Sequence, residues 1–228
     1  MSMAASLQPL VINPHTYEPV LRLDAPYQNI IIIPPRMEDV EPSVVVLNDP
    51  EVYPWMGIGG PDNPYTKENA QVWIERVKTV SDGILREIKL RNNREETGFQ
   101  VDGYIGIERG TWAEIIELEE RQRLVNANHR MEVGDKELWW QIGYYLSPTH
   151  HSQGTMSAAI GALINKWAIP RMGAKKIRAT SFNGNRGSMR AMQKNGFVLA
   201  KTLEGCVQVQ GEEAKRDLRI LEWSLGAD

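Results

Sequence analysis

The run ELWWQIGYYL at positions 137–146, with the turn and helix that follow it, constrains this chain more than any other stretch. Aromatic and β-branched residues favour a pleated, half-buried surface, and Ser147-Pro148 stops the run, so it reads as a strand. After the turn THHSQG, Met156, Ala159, Ile160, Leu163, Ile164 and Trp167 recur at spacings of three and one. That period predicts an amphipathic helix starting at Gly154 and ending near Pro170. Lys175 to Ser181 then reads as a strand, Arg186 to Asn195 as a short helix closed by Gly196, and Phe197 to Leu203 with Asp217 to Leu225 as two further strands. Strands separated by helices predict a mixed α/β fold.

Upstream, the first 28 residues carry scattered prolines and read as an arm, with one strand near Val20 to Leu23. Ile30 to Ile33 is a β-branched run ended by Pro34-Pro35, hence a strand, and a short helix follows around Glu38 to Leu47. Thr66 can cap a helix whose Ala70, Trp73, Ile74 and Val77 share one face. Gly83 to Leu90 and Tyr104 to Glu108 are expected to form a hairpin across the polar stretch 91–100. Gly110 to Lys136 shows no clean period and is treated as an enlargement within one domain spanning 29–228.

With 26 basic and 29 acidic residues the net charge is −3, which disfavours a general nucleic-acid binder. No apolar run approaches the ~20 residues of a membrane span, and the N-terminus lacks the pattern of a secretory signal. The lone Cys206 forms no internal disulfide and fits a reducing compartment, so a cytoplasmic protein is expected. His129, His150 and His151 do not form a ligand set, and no metal is expected. The GIGG at 57–60 lacks the lysine-serine and the strand-helix context of a nucleotide loop.

A helix start exposes amides with no internal partner and carries about half a positive charge, so the junction at 151–156 suits a phosphate or diphosphate. Ser152, Gly154 and Thr155 permit close approach of a ligand to the backbone, and Gln153, His150 and His151 offer side-chain donors. The plainer account is that glycine and serine serve the turn alone.

The segments QIGYYLSP (141–148), HSQG (151–154) and NRGSMRAMQKNGF (185–197) stand in the order and at the spacing of the GNAT superfamily of N-acetyltransferases, and most resemble its RimJ/RimL-like branch. IIIIPPRMEDVEP, LNDPEVYPWM and PYTKENAQVWIERV resemble that family's first strand and first two helices, so the likeness covers roughly 29–203 with 110–136 unmatched. The resemblance implies a mixed sheet of six or seven strands whose central parallel strands splay to admit acetyl-CoA, with flanking helices. It also implies that backbone groups of Tyr144 to Leu146 pair with the pantetheine arm. Amides of His151, Ser152, Gln153, Gly154, Thr155 and Met156 would hold the diphosphate, and Asn185 and Ser188 would form a second cofactor contact. His151 and Met156 stand where the commoner turn has Arg or Gln and Gly or Ala.

Acetyl transfer from a thioester needs a neutral amine, a polarised carbonyl and a proton for the leaving thiolate. Many relatives place a tyrosine four residues before the last glycine, where this chain has Met192, so another hydroxyl (Tyr144, Tyr145, Ser181) or water is expected to serve. Relatives often carry Glu where this chain has Gln141, which cannot take a proton. Glu137, Gln141 and Tyr145 share one strand face by period two, and Glu137, acting through water, and Glu108 are the candidate bases; the plainer account of each is a solvated carboxylate. An α-amino group is roughly one-tenth neutral at pH 7, a lysine amine only about 0.04%. A weak base therefore favours a peptide N-terminus, an amino acid or a low-pKa small amine as acceptor. The expected function is an acetyl-CoA-dependent N-acetyltransferase acting by direct attack; the alternative is a non-catalytic acetyl-CoA-binding module. A C-terminal edge strand admits a homodimer.

Overall fold

The computed structural model describes residues 11–14, 18–58, 60–61, 63–87, 102–209 and 212–226. Strands β1 (Val11–Ile12), β2 (Pro19–Arg22) and β3 (Ile31–Ile32) make a small antiparallel sheet. The main sheet has five strands in the order β4-β5-β6-β8-β7: β4 (Gly103–Arg109), β5 (Trp139–Leu146), β6 (Lys176–Phe182), β7 (Val198–Val207) and β8 (Arg216–Ser224). All its pairings are antiparallel except β5 with β6. This is the expected mixed α/β fold, with its strands shared between two sheets.

The decisive feature is how short that parallel pairing is. Only Trp139, Trp140 and Gln141 pair with Lys176, Ile177 and Arg178. Beyond Gln141, β5 stays with β4 as far as Leu146 while β6 stays with β8 as far as Phe182. The sheet therefore opens into a V whose foot is the Gln141–Arg178 pair.

Helices α1 (Val40–Leu47) and α2 (Lys67–Glu87) cover one face of the sheet. Thr66 and Asn69 cap α2 reciprocally: Thr66 Oγ1 accepts from the Asn69 amide at 3.2 Å and Asn69 Oδ1 from the Thr66 amide at 3.1 Å. The expected strand at 83–90 is corrected: Gly83 to Glu87 continue α2, and 88–90, like the loop at 91–100, lie outside the described residues. The apolar stripe of α2 runs on from Ala70, Ile74 and Val77 to the buried Leu85, which keeps the helix docked past Gly83. The 110–136 segment contains α3 (Leu118–His129). Its buried Asn128 donates to the Trp139 carbonyl and accepts from the Trp139 amide, both at 2.9 Å, and so ties α3 to the start of β5.

On the other face, α4 (Thr155–Ala162) passes through a π-helical stretch, Leu163–Ala168, into α5 (Ile169–Met172). The helix thus runs past Pro170 instead of ending there. A widened turn accommodates a residue that lacks an amide hydrogen and whose ring crowds the carbonyl four residues back. Helix α6 (Arg186–Gln193) follows β6. Trp140 and Ile142 of β5 join the core with Ile160, Leu163, Met189 and Met192, whereas Tyr145 joins Ile74, Val77 and Leu47 on the opposite face. Even-numbered β5 side chains thus face α4 and α6, and odd-numbered ones face α1 and α2.

Candidate active site

Two elements meet at the mouth of the V: the turn before α4 and the freed edge of β5. In the turn, Ser152 has φ +59° and Gly154 φ +85°, so the backbone curls and successive amides point to the same side. Among the described residues, nothing accepts a hydrogen bond from the amides of Ser152, Gln153, Gly154, Thr155 or Met156. The expected set is shorter by one, because the His151 amide donates to the Pro148 carbonyl at 3.0 Å.

The side chains expected as extra donors are also engaged. His151 Nε2–H donates to the Leu146 carbonyl at 2.9 Å, and Gln153 Nε2 donates to the Thr149 carbonyl at 2.7 Å. His150 faces Asp102 at 3.3 Å. These contacts shape the turn and leave its main-chain amides as the uncommitted donors.

The β4–β5 register fixes which backbone groups of β5 enter the V. Ser147 donates to Asp102 O at 2.7 Å and Gly110 to Trp139 O at 3.0 Å, so odd-numbered residues of β5 direct their amides and carbonyls at β4. Even-numbered residues direct theirs the other way. Past Gln141, the backbone of Tyr144 and the amide of Leu146 therefore face the opening, an unpaired edge suited to a chain of amides.

Across that opening the Tyr144 hydroxyl lies 2.9 Å from Ser188 Oγ on α6. Burial pushes its pKa up to about 12, against the lowering effect of the Ser188 hydrogen bond. Asn185 Oδ1 accepts from the Ser188 amide at 3.0 Å and so caps α6.

The face toward α1 and α2 offers room for a second reactant. A Cβ added to Gly143 would meet nothing, so the floor beyond the foot of the V is open. A cavity of roughly 360 Å³, whose lining does not include Gly143, runs from β3 and the start of β4 past the end of β5 to the start of α4; Tyr104, Tyr145, Leu146, Thr155 and Met156 bound it, with Glu38, Asp39 and Asp102 among its acidic residues. Tyr104 and Tyr145 stack with ring centres 5.8 Å apart, and burial raises the pKa of both. Burial also raises that of Asp39, against its hydrogen bond from the Arg36 amide.

The four residues picked for chemistry are placed differently. Gln141 sits at the foot of the V, where its Oε1 accepts from Thr111 Oγ1 at 3.0 Å and from the Thr111 amide at 3.3 Å. Glu108 is its cross-strand partner and holds Arg76 of α2 at 2.9 Å. Tyr145 lines the cavity. Glu137 is not brought to the site: it precedes the paired end of β5, opposite the mouth of the V, and Lys176 holds it at 2.6 Å. That hydrogen bond and charge keep its carboxyl below the ordinary range, which makes it a poorer base still.

Sequence reading misses Arg178 and Tyr27, and it reads Glu114, with Glu117, Glu119 and Glu120, as an acidic face that is solvated or suits a cationic substrate, whereas the structure buries Glu114. Glu114 and Arg178 form a buried ion pair at the foot of the V, with the guanidinium 5.3 Å above the Trp112 ring. Tyr27 donates to the Gln153 carbonyl in the anion turn. Only tertiary structure joins these positions, and no local pattern marks them.

Residues 29–198 match the family model described as the acetyltransferase (GNAT) domain. No curated protein matches the chain. Similar solved structures include a GNAT-family acetyltransferase from Bacillus anthracis, at TM-score 0.58 and 15% identity over 90% of this chain and 98% of that one. RimJ of Mycobacterium smegmatis, in complex with CoA-disulfide, gives TM-score 0.55 and 18% identity over 91% and 86%. RimL, an α-N-protein acetyltransferase, gives 0.59 and 12% over 95% and 100%. At such identities these neighbours speak to fold alone, and their fold is the one described above. The family match covers most of the chain, and the chain belongs to the GNAT acetyltransferase family.

Proposed function

We propose that this chain transfers an acetyl group from acetyl-CoA to the nitrogen of a primary amine: a peptide N-terminus, an amino acid or a small amine. The observation that carries the reading is the set of uncommitted amides from Ser152 to Met156 at the mouth of an opened sheet. They suit the diphosphate, and the edge at Tyr144 and Leu146 suits the amides of the pantetheine arm.

In this reading the acceptor enters from the Gly143 and Tyr145 side, where the acidic lining of the cavity suits an approaching ammonium. Once neutral, the amine attacks the thioester carbon, and the Leu146 amide stabilises the developing oxyanion. The carbon–sulfur bond breaks and the thiolate takes the proton of the Tyr144 hydroxyl; a phenol is protonated at neutral pH at its ordinary pKa, and burial, which raises that pKa, makes this one the weaker donor. The nitrogen's surplus proton leaves through water to Glu108, and solvent restores Tyr144. Residues 29–228 act as one domain in which 110–136 borders the acceptor groove, and the lone Cys206 is in keeping with the cytoplasm.

A thiol-release assay with acetyl-CoA over a panel of α-amines, lysine peptides and small amines tests this. Turnover with α-amines or low-pKa small amines is the expected result. No turnover with any amine, together with no coenzyme A binding by titration calorimetry, would end the proposal.

A further inference from the structure

From the contact between the arm and the anion turn, we infer that Tyr27 is a positioning residue for the cofactor diphosphate; this rests on the reading of the Ser152–Met156 turn given above. The Tyr27 hydroxyl donates to the Gln153 carbonyl. A trans peptide directs its C=O and N–H in opposite directions, so holding the Gln153 carbonyl toward Tyr27 turns the Gly154 amide away from it, to the side where the uncommitted amides gather. A carbonyl that accepts a hydrogen bond also polarises its own peptide, which makes that amide a stronger donor.

The same hydroxyl also constrains Gly154. A Cβ there would lie 2.6 Å from the Tyr27 hydroxyl oxygen, and the residue's φ of +85° already favours glycine. The hydroxyl thus fills the space that any larger residue would need.

Tyr27 is itself held firmly. Its amide donates to the Asp24 carbonyl at 2.8 Å, its carbonyl accepts from the Ile30 amide at 2.9 Å, and the Leu23 amide donates to Ile30 O at 3.1 Å. Lys166, beyond α4, donates to Asp24 Oδ1 at 2.7 Å and to the Arg22 carbonyl at 3.0 Å. Leu23 buries against Ala159 and Ala162 of α4, and Tyr27 packs on the same cluster. The β2–β3 loop is thereby fastened to the helix whose first turn it orients.

The test compares coenzyme A with pantetheine, which lacks the diphosphate, as ligands of the full chain. Tyr27→Phe is expected to weaken coenzyme A about fivefold through the misdirected Gly154 amide and to leave pantetheine affinity unchanged, while the lost hydrogen bond lowers the melting temperature of the free protein only slightly. Gly154→Ala should weaken coenzyme A further, and the Tyr27→Phe/Gly154→Ala double variant should recover part of that loss because the hydroxyl no longer meets the methyl. Asp24→Asn, which loosens the loop without touching the turn, should give the Tyr27→Phe pattern at smaller size and serves if Tyr27→Phe folds poorly. Unchanged coenzyme A affinity in Tyr27→Phe and Asp24→Asn, or equal weakening of both ligands, overturns the inference. A wild-type chain that binds no coenzyme A instead removes the diphosphate reading on which it rests.

Discussion

The Tyr144 hydroxyl and Ser188 Oγ stand 2.9 Å apart across the mouth of the V, joining β5 to α6 where β5 and β6 no longer pair. This contact places a protonated phenol beside the face of α6 that carries Met192, one turn further along from Ser188, where relatives hold their tyrosine. In the reaction proposed above, the proton donor arrives from the wall opposite Met192.

Tyr144→Phe is expected to lower kcat by about 10²-fold, in the range of a lost general acid. Ser188→Ala, which keeps the phenol, should cost about tenfold or less. Both should reduce stability by about 1 kcal/mol. Steady-state kinetics with urea unfolding checks this, and a kcat for Tyr144→Phe equal to wild type removes Tyr144 as the acid.

Glu108 and Glu137 are separated by placement. Glu108→Gln is expected to lower kcat/KM by about 10² and to flatten the acidic limb of its pH profile. Glu137→Gln should leave kcat/KM within about twofold, because Lys176 holds that carboxylate at the closed end of the sheet. A reversed order of effects would show that Glu108 serves only its ion pair with Arg76.

The Glu114–Arg178 pair is a stability element at the foot of the V, with each side chain about 5% exposed. Glu114→Leu alone leaves a buried guanidinium unpaired and should cost about 3–5 kcal/mol. Glu114→Leu with Arg178→Met should recover most of that loss. Equal denaturation midpoints for the single and double variants would contradict this account.

Alkaline pH acts through the tyrosines. Tyr65 and Tyr144 are raised from 10.0 to about 12, chiefly by burial, and Tyr104 and Tyr145 are raised as well. Between the unfolded and folded pKa values the folded state binds more protons, so stability is full below about 10 and falls as pH rises through it. Urea midpoints should hold steady up to that pH and then decline, with buried tyrosinate appearing together with unfolding. Full ionisation of these four tyrosines in the folded chain near pH 10 would refute it.

Much of this molecule is legible in its sequence where a single period dominates. The strand at 139–146 and the helix beginning at Thr155 stand within two residues of their expected places, because each buries one clean face. At 83–87, Gly83 and the local apolar run favour a strand in isolation, but the apolar stripe from Ala70 to Leu85 continues through them and keeps the chain helical. Helix α3 left no trace because Asn128 is its only buried residue and acts through hydrogen bonds rather than an apolar stripe. In the candidate site, the turn and second motif were legible through residue type and spacing. The engagement of Gln141 by Thr111, and of the anion turn by Tyr27, depends on chain segments 30 and 126 residues away. Nothing in a window of neighbours records them.

The V has one more consequence, for solubility. A strand edge left without a partner invites any extended peptide, including another copy of the same chain. Here that edge is recessed between two walls of one sheet, with a phenol and a serine bridging its entrance. A cofactor lodged there would act as a stopper, and chains deprived of it should be the first to clump on gentle heating.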